Sequence, residues 1–382
     1  MAGRTIGFAV IGADHPHIYT MVAGMIEAGA VMKGWWTEDA PTYIQAARLV
    51  EAGGPFKQFH DQKRDAANAE AALGGTYADP RKTDPFPGVR RVGDRRELLD
   101  DPSIDVILLA PLHTQRAALA IEAMQHGKDV MCDKPGAISL AEMHALRQAV
   151  AETGRIWSVD WSERYHVPAV VKASELVGQG VIGKVVQTVN LASHRPQPQR
   201  RPSWWFDTRQ HGGVMCYLAS HSIDQFLHFT GSTTAAVASS TVGNFRFPQW
   251  NIEDFGDLVL HGNNGVGYIR VDWYTPDQQT HPGDNRLFVI GTEGQIEVRK
   301  YVDLAGRPGA NHLFLETGGK AEYIDCSGVK LTYFDAFLND IRDRTETAET
   351  QSHSFLANEL AVQAQLQASR LGHLAGTPAE AP

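Results

Sequence analysis

Apolar positions along this chain keep two rhythms, and the change between them divides it. Ile6 to Ile11 is a short apolar run closed by Gly12; Ile18, Met21, Val22, Met25 and Ile26 then recur at the i, i+3, i+4 spacing of an amphipathic helix that stops at Gly29. Val31 to Trp36 reads as a second strand, and Ile104 to Ala110 as one buried on both faces of a parallel sheet. An apolar helix from Ala117 to Met124 ends at Gly127. Strand Val130 to Cys132 runs into Asp133-Lys134-Pro135, and Ser139 with Glu142 forms a capping box that opens the next helix. Strand Ile156 to Trp161 completes an alternation that predicts a doubly wound, Rossmann-type α/β domain over residues 1–161.

The rhythm then shortens. A helix near Ala169 to Val177 and a strand from Lys184 to Ala192 lead into an Arg- and Pro-rich loop, His194 to Pro202. Strand-like segments at 257–261, 267–273, 287–290 and 295–301 follow, with the turns Gly262-Asn-Asn-Gly265 and Gly291-Thr-Glu-Gly294 between them. Residues 162–382 therefore read as an α+β domain with an open, mostly antiparallel sheet, one face of which covers a cofactor or meets another subunit. Helices from Tyr333 to Arg342 and from Ser354 to Leu371 close the chain, and residues 375–382 read as a loose tail. Residues 53–95 look like an enlarged crossover with one helical piece near Arg64 to Leu73.

Composition narrows the function. At 382 residues, 43% apolar and 21% charged, the chain is a soluble two-domain protein, and its net charge of -9 argues against a nucleic-acid partner. No apolar run reaches the roughly 18 residues of a membrane span, and the first strand begins too early to leave room for a signal peptide. Cys132, Cys216 and Cys326 form no CxxC pair, which suits a reducing cytoplasm and offers no zinc-site spacing. Asp254 with His211 or His281 has no spacing that favours a metal, so no metal is assigned.

Candidate chemistry collects at strand ends. The first strand-turn-helix opens as a dinucleotide fold does, but where the fingerprint has Gly-x-Gly-x-x-Gly this chain has Gly12-Ala13-Asp14-His15-Pro16-His17. His15 and His17 then either belong to a cofactor turn or simply cap the helix or face solvent. Glu38, after the second strand, stands where a carboxylate meets the adenosine ribose and favours NAD over NADP. Pro111-Leu112-His113 and Asp133-Lys134 end further strands, and Lys134 is placed to face a ligand. In the second half, Tyr217, His221 and Asp224 stand at i, i+4 and i+7 of one helix and share a face. An imidazole takes a hydroxyl proton as hydride leaves the same carbon, and an ammonium stabilises the alkoxide; His221 and Lys134 supply these functions where the halves bring them together. The bland alternative is a buried His221–Asp224 pair that anchors the helix. Trp204, Trp205 and Phe206, beside Arg200, Arg201 and Arg209, read as a sugar-stacking wall or as core; Arg164, Tyr165, His166 and His194 read as lining the substrate side.

In order and spacing, Ile11-Gly12, Gly127-Lys128, Asp133-Lys134-Pro135, Gly180-Val-Ile-Gly183-Lys184, Gly212-Gly213 with His221 and Asp224, and Gly291-Thr-Glu-Gly294 resemble the Gfo/Idh/MocA oxidoreductases. The resemblance implies NAD or NADP, oxidation or reduction of a hydroxyl on a sugar, cyclitol or related polyol, Lys134 and His221 beside the nicotinamide, and homo-oligomers built through the open sheet. Three positions depart from the family pattern: the reduced glycine fingerprint, His113 where asparagine is usual, and Tyr217 where an aspartate commonly precedes the catalytic histidine. Tyr217 would then act as a hydroxyl that polarises a carbonyl. A ligand sensor without turnover, and an enzyme that cleaves a glycosidic bond through transient oxidation, are the alternatives.

Overall fold

The two rhythms become two sheets. The computed structural model describes residues 4–38, 86, 88–196, 198, 201, 203–276, 278–279 and 281–372. The crossover expected at 53–95 falls mostly outside the described residues, as do the helical piece at 64–73 and the tail at 375–382. The chain divides into two compact units, residues 1–168 with 329–355 and residues 169–328 with 356–382.

In the first unit β1 (Gly7–Ala13), β2 (Val31–Trp36), β3 (Val106–Ala110), β4 (Asp129–Asp133) and β5 (Trp157–Asp160) pair in parallel in the order β2-β1-β3-β4-β5. Every residue of β1, β3, β4 and β5 is buried, as continuous apolar runs demand of a sheet covered on both faces. Helices α1 (His17–Glu27), α2 (His113–Gln125) and α3 (Leu140–Thr153) link the strands. The capping box of α3 forms: the Glu142 N–H donates to Ser139 Oγ at 3.2 Å, and the Ser139 N–H donates to the Glu142 carboxylate at 3.0 Å. On α1, Gly24 lets the ring of Phe334 lie where a Cβ would be only 2.1 Å from it, so helix Tyr333–Asp343 packs flush on α1. Because the chain leaves β1 toward β2 on one side and β3 lies on the other, a switch in strand order opens between β1 and β3. Ligands of open α/β sheets bind in such crevices, at the carboxyl ends of the strands.

In the second unit, after α4 (Pro168–Gly178), nine strands pair in the order β13-β12-β11-β10-β6-β9-β8-β7-β14. They are β6 (Val185–His194), β7 (Ala235–Asn244), β8 (Phe255–Gly262), β9 (Val266–Asp272), β10 (Gly283–Gly291), β11 (Gly294–Arg299), β12 (His312–Thr317), β13 (Lys320–Asp325) and β14 (Ser369–Gly372). All neighbours are antiparallel except β6 with β9 and β7 with β14. One face is core: Leu258 and Leu260, Ile269 and Val271, Leu287 and Val289, and Ile296 and Val298 alternate with half-buried residues on the other. Helix α5 (Ser220–Thr230) packs on that core face, where Gly262 and Gly267 leave room for the ring of Phe226. The final helix is shorter than its pattern suggests: it ends at Gln367, and Ser369–Gly372 instead pairs with β7. Among the described residues no helix is long and apolar enough to cross a membrane.

Candidate active site

Gly12 has φ +78°, and a Cβ there would meet Pro111 Cβ at 2.5 Å, so the ends of β1 and β3 touch only because residue 12 is glycine. The Asp14 N–H donates to the Ala110 carbonyl at 2.8 Å and fixes the turn across the same gap. Gly12, Asp14 and Pro111 thus meet at the switch point. Glu38, exposed at the end of the neighbouring β2, accepts a bond from Gln115 Nε2 at 3.0 Å. His113, fully buried, begins α2.

The densest polar contact lies at the end of β4. Asp133 has no exposed surface, and its carboxylate gathers three donors: His17 Nδ1 at 2.8 Å on Oδ1, with His15 Nδ1 at 3.0 Å and Arg116 Nη2 at 2.8 Å on Oδ2. Burial works against a charged Asp133, yet His15, Arg116 and His17 together hold its carboxyl well below the usual carboxylate range. Burial likewise drives the imidazoles neutral: it outweighs the attraction of Asp133 and brings His15 down to about 4, and it holds His17 well below its ordinary value. A carboxylate can only accept, so each neutral ring presents Nδ1–H to it. The His17 backbone N–H lies 3.4 Å from His15 Nδ1, too far to compete with the carboxylate.

Arg116 is wholly buried on α2 and also donates to the backbone: Nε to Pro111 O at 3.1 Å, and Nη1 to Asp133 O at 2.8 Å and Pro135 O at 2.9 Å. The last two carbonyls flank Lys134, which is buried and precedes a cis proline. His15 and His17 therefore neither cap α1, whose N-cap is Pro16 without a side-chain bond, nor face solvent; they turn onto Asp133. Arg116 was not foreseen, because one arginine at the head of an apolar helix reads as surface. An acidic residue ending a fully buried strand is the signal that a cation must be found for it.

His15, His17 and Asp133 offer one ligating atom each within 4.8 Å of one another, a spacing a metal ion could use. The guanidinium of Arg116 on the same carboxylate opposes a second cation there, as does Lys134, whose charge depresses both imidazoles.

Arg164, also in the first unit, donates to Tyr165 Oη at 2.9 Å and is paired with the Glu349 carboxylate. The remaining candidates belong to the second unit. Met215–Ala219 is π-helical and passes into α5, so the alignment of Tyr217, His221 and Asp224 expected from α-helical spacing does not follow; only His221 and Asp224 keep that spacing. The π turn is anchored through its first amides: Val214 N–H donates to Glu253 at 3.3 Å and Met215 N–H to Gln365 at 3.0 Å. Tyr217 stacks on His211, with centroids 4.5 Å apart. Both rings edge onto Trp205, which also meets Trp250 and Trp273. Arg201 lies over Trp205 and Trp273, at 4.9 and 5.3 Å. Of the expected wall, Trp204 and Trp205 are buried, Arg209 pairs with Asp207, and Arg200 lies outside the described residues. His194 ends β6 edge-on to Trp273 at 5.7 Å. His221 and Asp224 are buried. His211, Trp250 and Trp273 had no assigned role in this group, since no sequence spacing links them to Tyr217.

A parallel sheet with a glycine-closed switch point, and a lysine held at a strand end beside it, define a doubly wound architecture of the kind that binds nucleotides at that crevice. Residues 56–161 match the model of the oxidoreductase family with an NAD-binding Rossmann fold, and residues 170–297 match the Gfo/Idh/MocA C-terminal domain. The chain belongs to the Gfo/Idh/MocA family of oxidoreductases. A candidate oxidoreductase from Erwinia carotovora atroseptica SCRI1043, known from its crystal structure, is 38% identical, with TM-score 0.83 over 96% of this chain and 100% of that one. An NAD(+)-dependent scyllo-inositol 2-dehydrogenase of Bacillus subtilis (strain 168) is 26% identical over 262 residues, 67% of each chain. Levoglucosan dehydrogenase of Pseudarthrobacter phenanthrenivorans is 30% identical over 184 residues, so the match spans 47% of each chain.

Proposed function

We propose that this protein is an NAD-linked dehydrogenase that interconverts a secondary alcohol and a ketone on a sugar, cyclitol or related polyol. Residues 1–161 hold the dinucleotide and residues 162–382 the substrate. What supports the reading most is the end of β4, where Lys134 lies between two carbonyls that Arg116 grips, at the carboxyl edge of the sheet beside the switch point. Gly12 lets a pyrophosphate approach the chain at the head of α1, and Glu38 takes the ribose hydroxyls while repelling a 2′-phosphate, which is why NAD is preferred over NADP. The bound nicotinamide supplies a two-electron acceptor. His221 removes the hydroxyl proton, Lys134 stabilises the oxyanion left behind, and Tyr217 donates to the same oxygen. Arg164, His194, Trp204 and Asp224 hold the remaining hydroxyls. The names of the inositol and levoglucosan dehydrogenases favour a cyclic polyol. Three buried cysteines, all free, fit a reducing cytoplasm, and a second copy of the chain covers the open face of the nine-stranded sheet.

A sensor that binds the dinucleotide without turnover is the second reading, favoured by the imidazole that stands where the fingerprint has its last glycine. The test is a fluorescence titration with NADH and NADPH, followed by assays on scyllo-inositol and levoglucosan. NADH binds more tightly than NADPH, and His221→Asn and Lys134→Ala each lower kcat by about 10²-fold or more. Binding with no turnover of any polyol would favour the sensor; binding of neither dinucleotide at about 1 mM would end both readings.

A further inference from the structure

We infer that His15 and His17 are positioning residues for Lys134. They are neutral Nδ1–H donors that lock the Asp133 carboxylate, so the turn that elsewhere only admits a pyrophosphate here also holds the reactive lysine. The inference rests on the reading of Lys134 given above. Only Asp14, His15 and Pro16 separate β1 from α1, so His15 and His17, the first residue of the helix, both stand close to the strand end. Both rings meet one carboxylate, whose two oxygens are filled by His17, His15 and Arg116. That carboxylate anchors Arg116, and Arg116 grips the carbonyls on either side of Lys134. The chain of contact is therefore turn, carboxylate, guanidinium and then the peptide groups of the lysine.

The choice of histidine has a reason in charge. Asp133 needs more than one donor, and Arg116 alone neutralises it. A further lysine or arginine would add a cation within reach of Lys134 and weaken the one ammonium the chemistry uses. A neutral imidazole donates without adding charge. The same contacts argue against a metal at this cluster, because a divalent ion would have to displace the Nδ1 protons beside a guanidinium.

Geometry supplies a discriminating set of variants. The amide nitrogen of asparagine falls where histidine has Nδ1, whereas that of glutamine falls nearer Nε2. His17→Ala and His17→Gln should lower kcat about ten-fold or more. They should leave the NADH dissociation constant within about two-fold. His17→Asn should recover most of the loss, and His15→Asn should likewise exceed His15→Ala. The basic limb of the kcat/KM pH profile should shift in the alanine variants and return in the asparagine ones. A loss of NADH affinity with kcat unchanged would overturn the assignment, as would stoichiometric zinc that His17→Ala removes. If the wild-type protein turns over no polyol, the dehydrogenase reading fails but this one is still decided by long-range ¹H–¹⁵N spectra of the full chain with labelled histidine. Nδ1–H tautomers at His15 and His17 that stay neutral well below pH 6.5 support it. Nε2–H tautomers, or titration near the ordinary 6.5, would overturn it.

Discussion

A carboxylate with no exposed surface must replace every water it gives up, and Asp133 does so with donors from the first turn and from α2. The arrangement has a consequence in acid. Folded, His15 takes a proton only near pH 4; unfolded, it takes one near 6.5. Between these values the unfolded chain binds a proton that the folded chain refuses, so stability falls as pH falls from about 6.5 to about 4. Asp133 has the opposite kind of group but the same sign: its depressed pKa contributes stability above about 3.9 that is lost on further acidification. The groups facing His15 are Asp133, which favours its charged form, Lys134 and Arg116, which with burial outweigh Asp133 and leave it neutral, and the His17 ring, edge-on at 4.3 Å. The expected size for His15 is on the order of 3 kcal/mol between pH 7 and 4. Urea midpoints measured across this range should fall more steeply for the wild type than for His15→Asn; parallel curves would refute a neutral, buried His15. Lys134 and Asp133 were legible in the sequence because a strand end is identified by its own residues. The partners of Asp133 were not, because they come from positions 15, 17 and 116, and only the parallel register of β1, β3 and β4 brings those positions together.

At the scale of elements, continuous apolar runs and glycine stops made β1 to β5 and their helices legible before any coordinates. The same reasoning passed over β7, β12 and β13, whose alternation is half polar, and it carried the last helix through Ser369–Gly372, where pairing with β7 overrides helical propensity. It also could not find the π turn, since one extra residue in a helical turn leaves no mark on composition. The seat of α5 on the sheet is a prediction in itself. A Cβ at Gly267 would lie 2.8 Å from Cδ2 and 3.0 Å from Cγ of Phe226, whose ring is pinned between α5 and the strands. Gly267→Ala should therefore destabilise the protein by about 1–3 kcal/mol and lower kcat as α5 moves with His221. Calorimetry checks the first; a Tm equal to that of the wild type would mean that the helix adjusts freely. Gly265→Ala would be a less specific test, because its Cβ meets the backbone of Val186 at 2.8 Å as well as Thr230 of α5 at 2.9 Å.

For the molecule as a whole, the proposed pairing of two copies through the open face of the second sheet makes a prediction of its own. Register places Val259, Tyr268, Val189, Phe288, Glu297, Phe314 and Tyr323 in one row across seven neighbouring strands, each half-buried in the single chain. At about 4.8 Å between strands the row spans about 29 Å. A square of that side is about 800 Å², one partner's share of a standard interface. The adjoining row, Asp257, Arg270, Leu191, Arg286, Arg299 and His312, carries both signs, so two copies related by a twofold axis can set acid against base without a change of surface. Phe288 lies in the middle of the first row, where a charge would be desolvated in the pair but only half-buried in the single chain. Phe288→Lys should therefore convert an oligomer into a 41.9 kDa species by light scattering after size exclusion while leaving the Tm of each unit nearly unchanged. A wild type that elutes at 41.9 kDa at about 10 µM, above the dissociation constants of stable dimers, would show that the face stays open in solution.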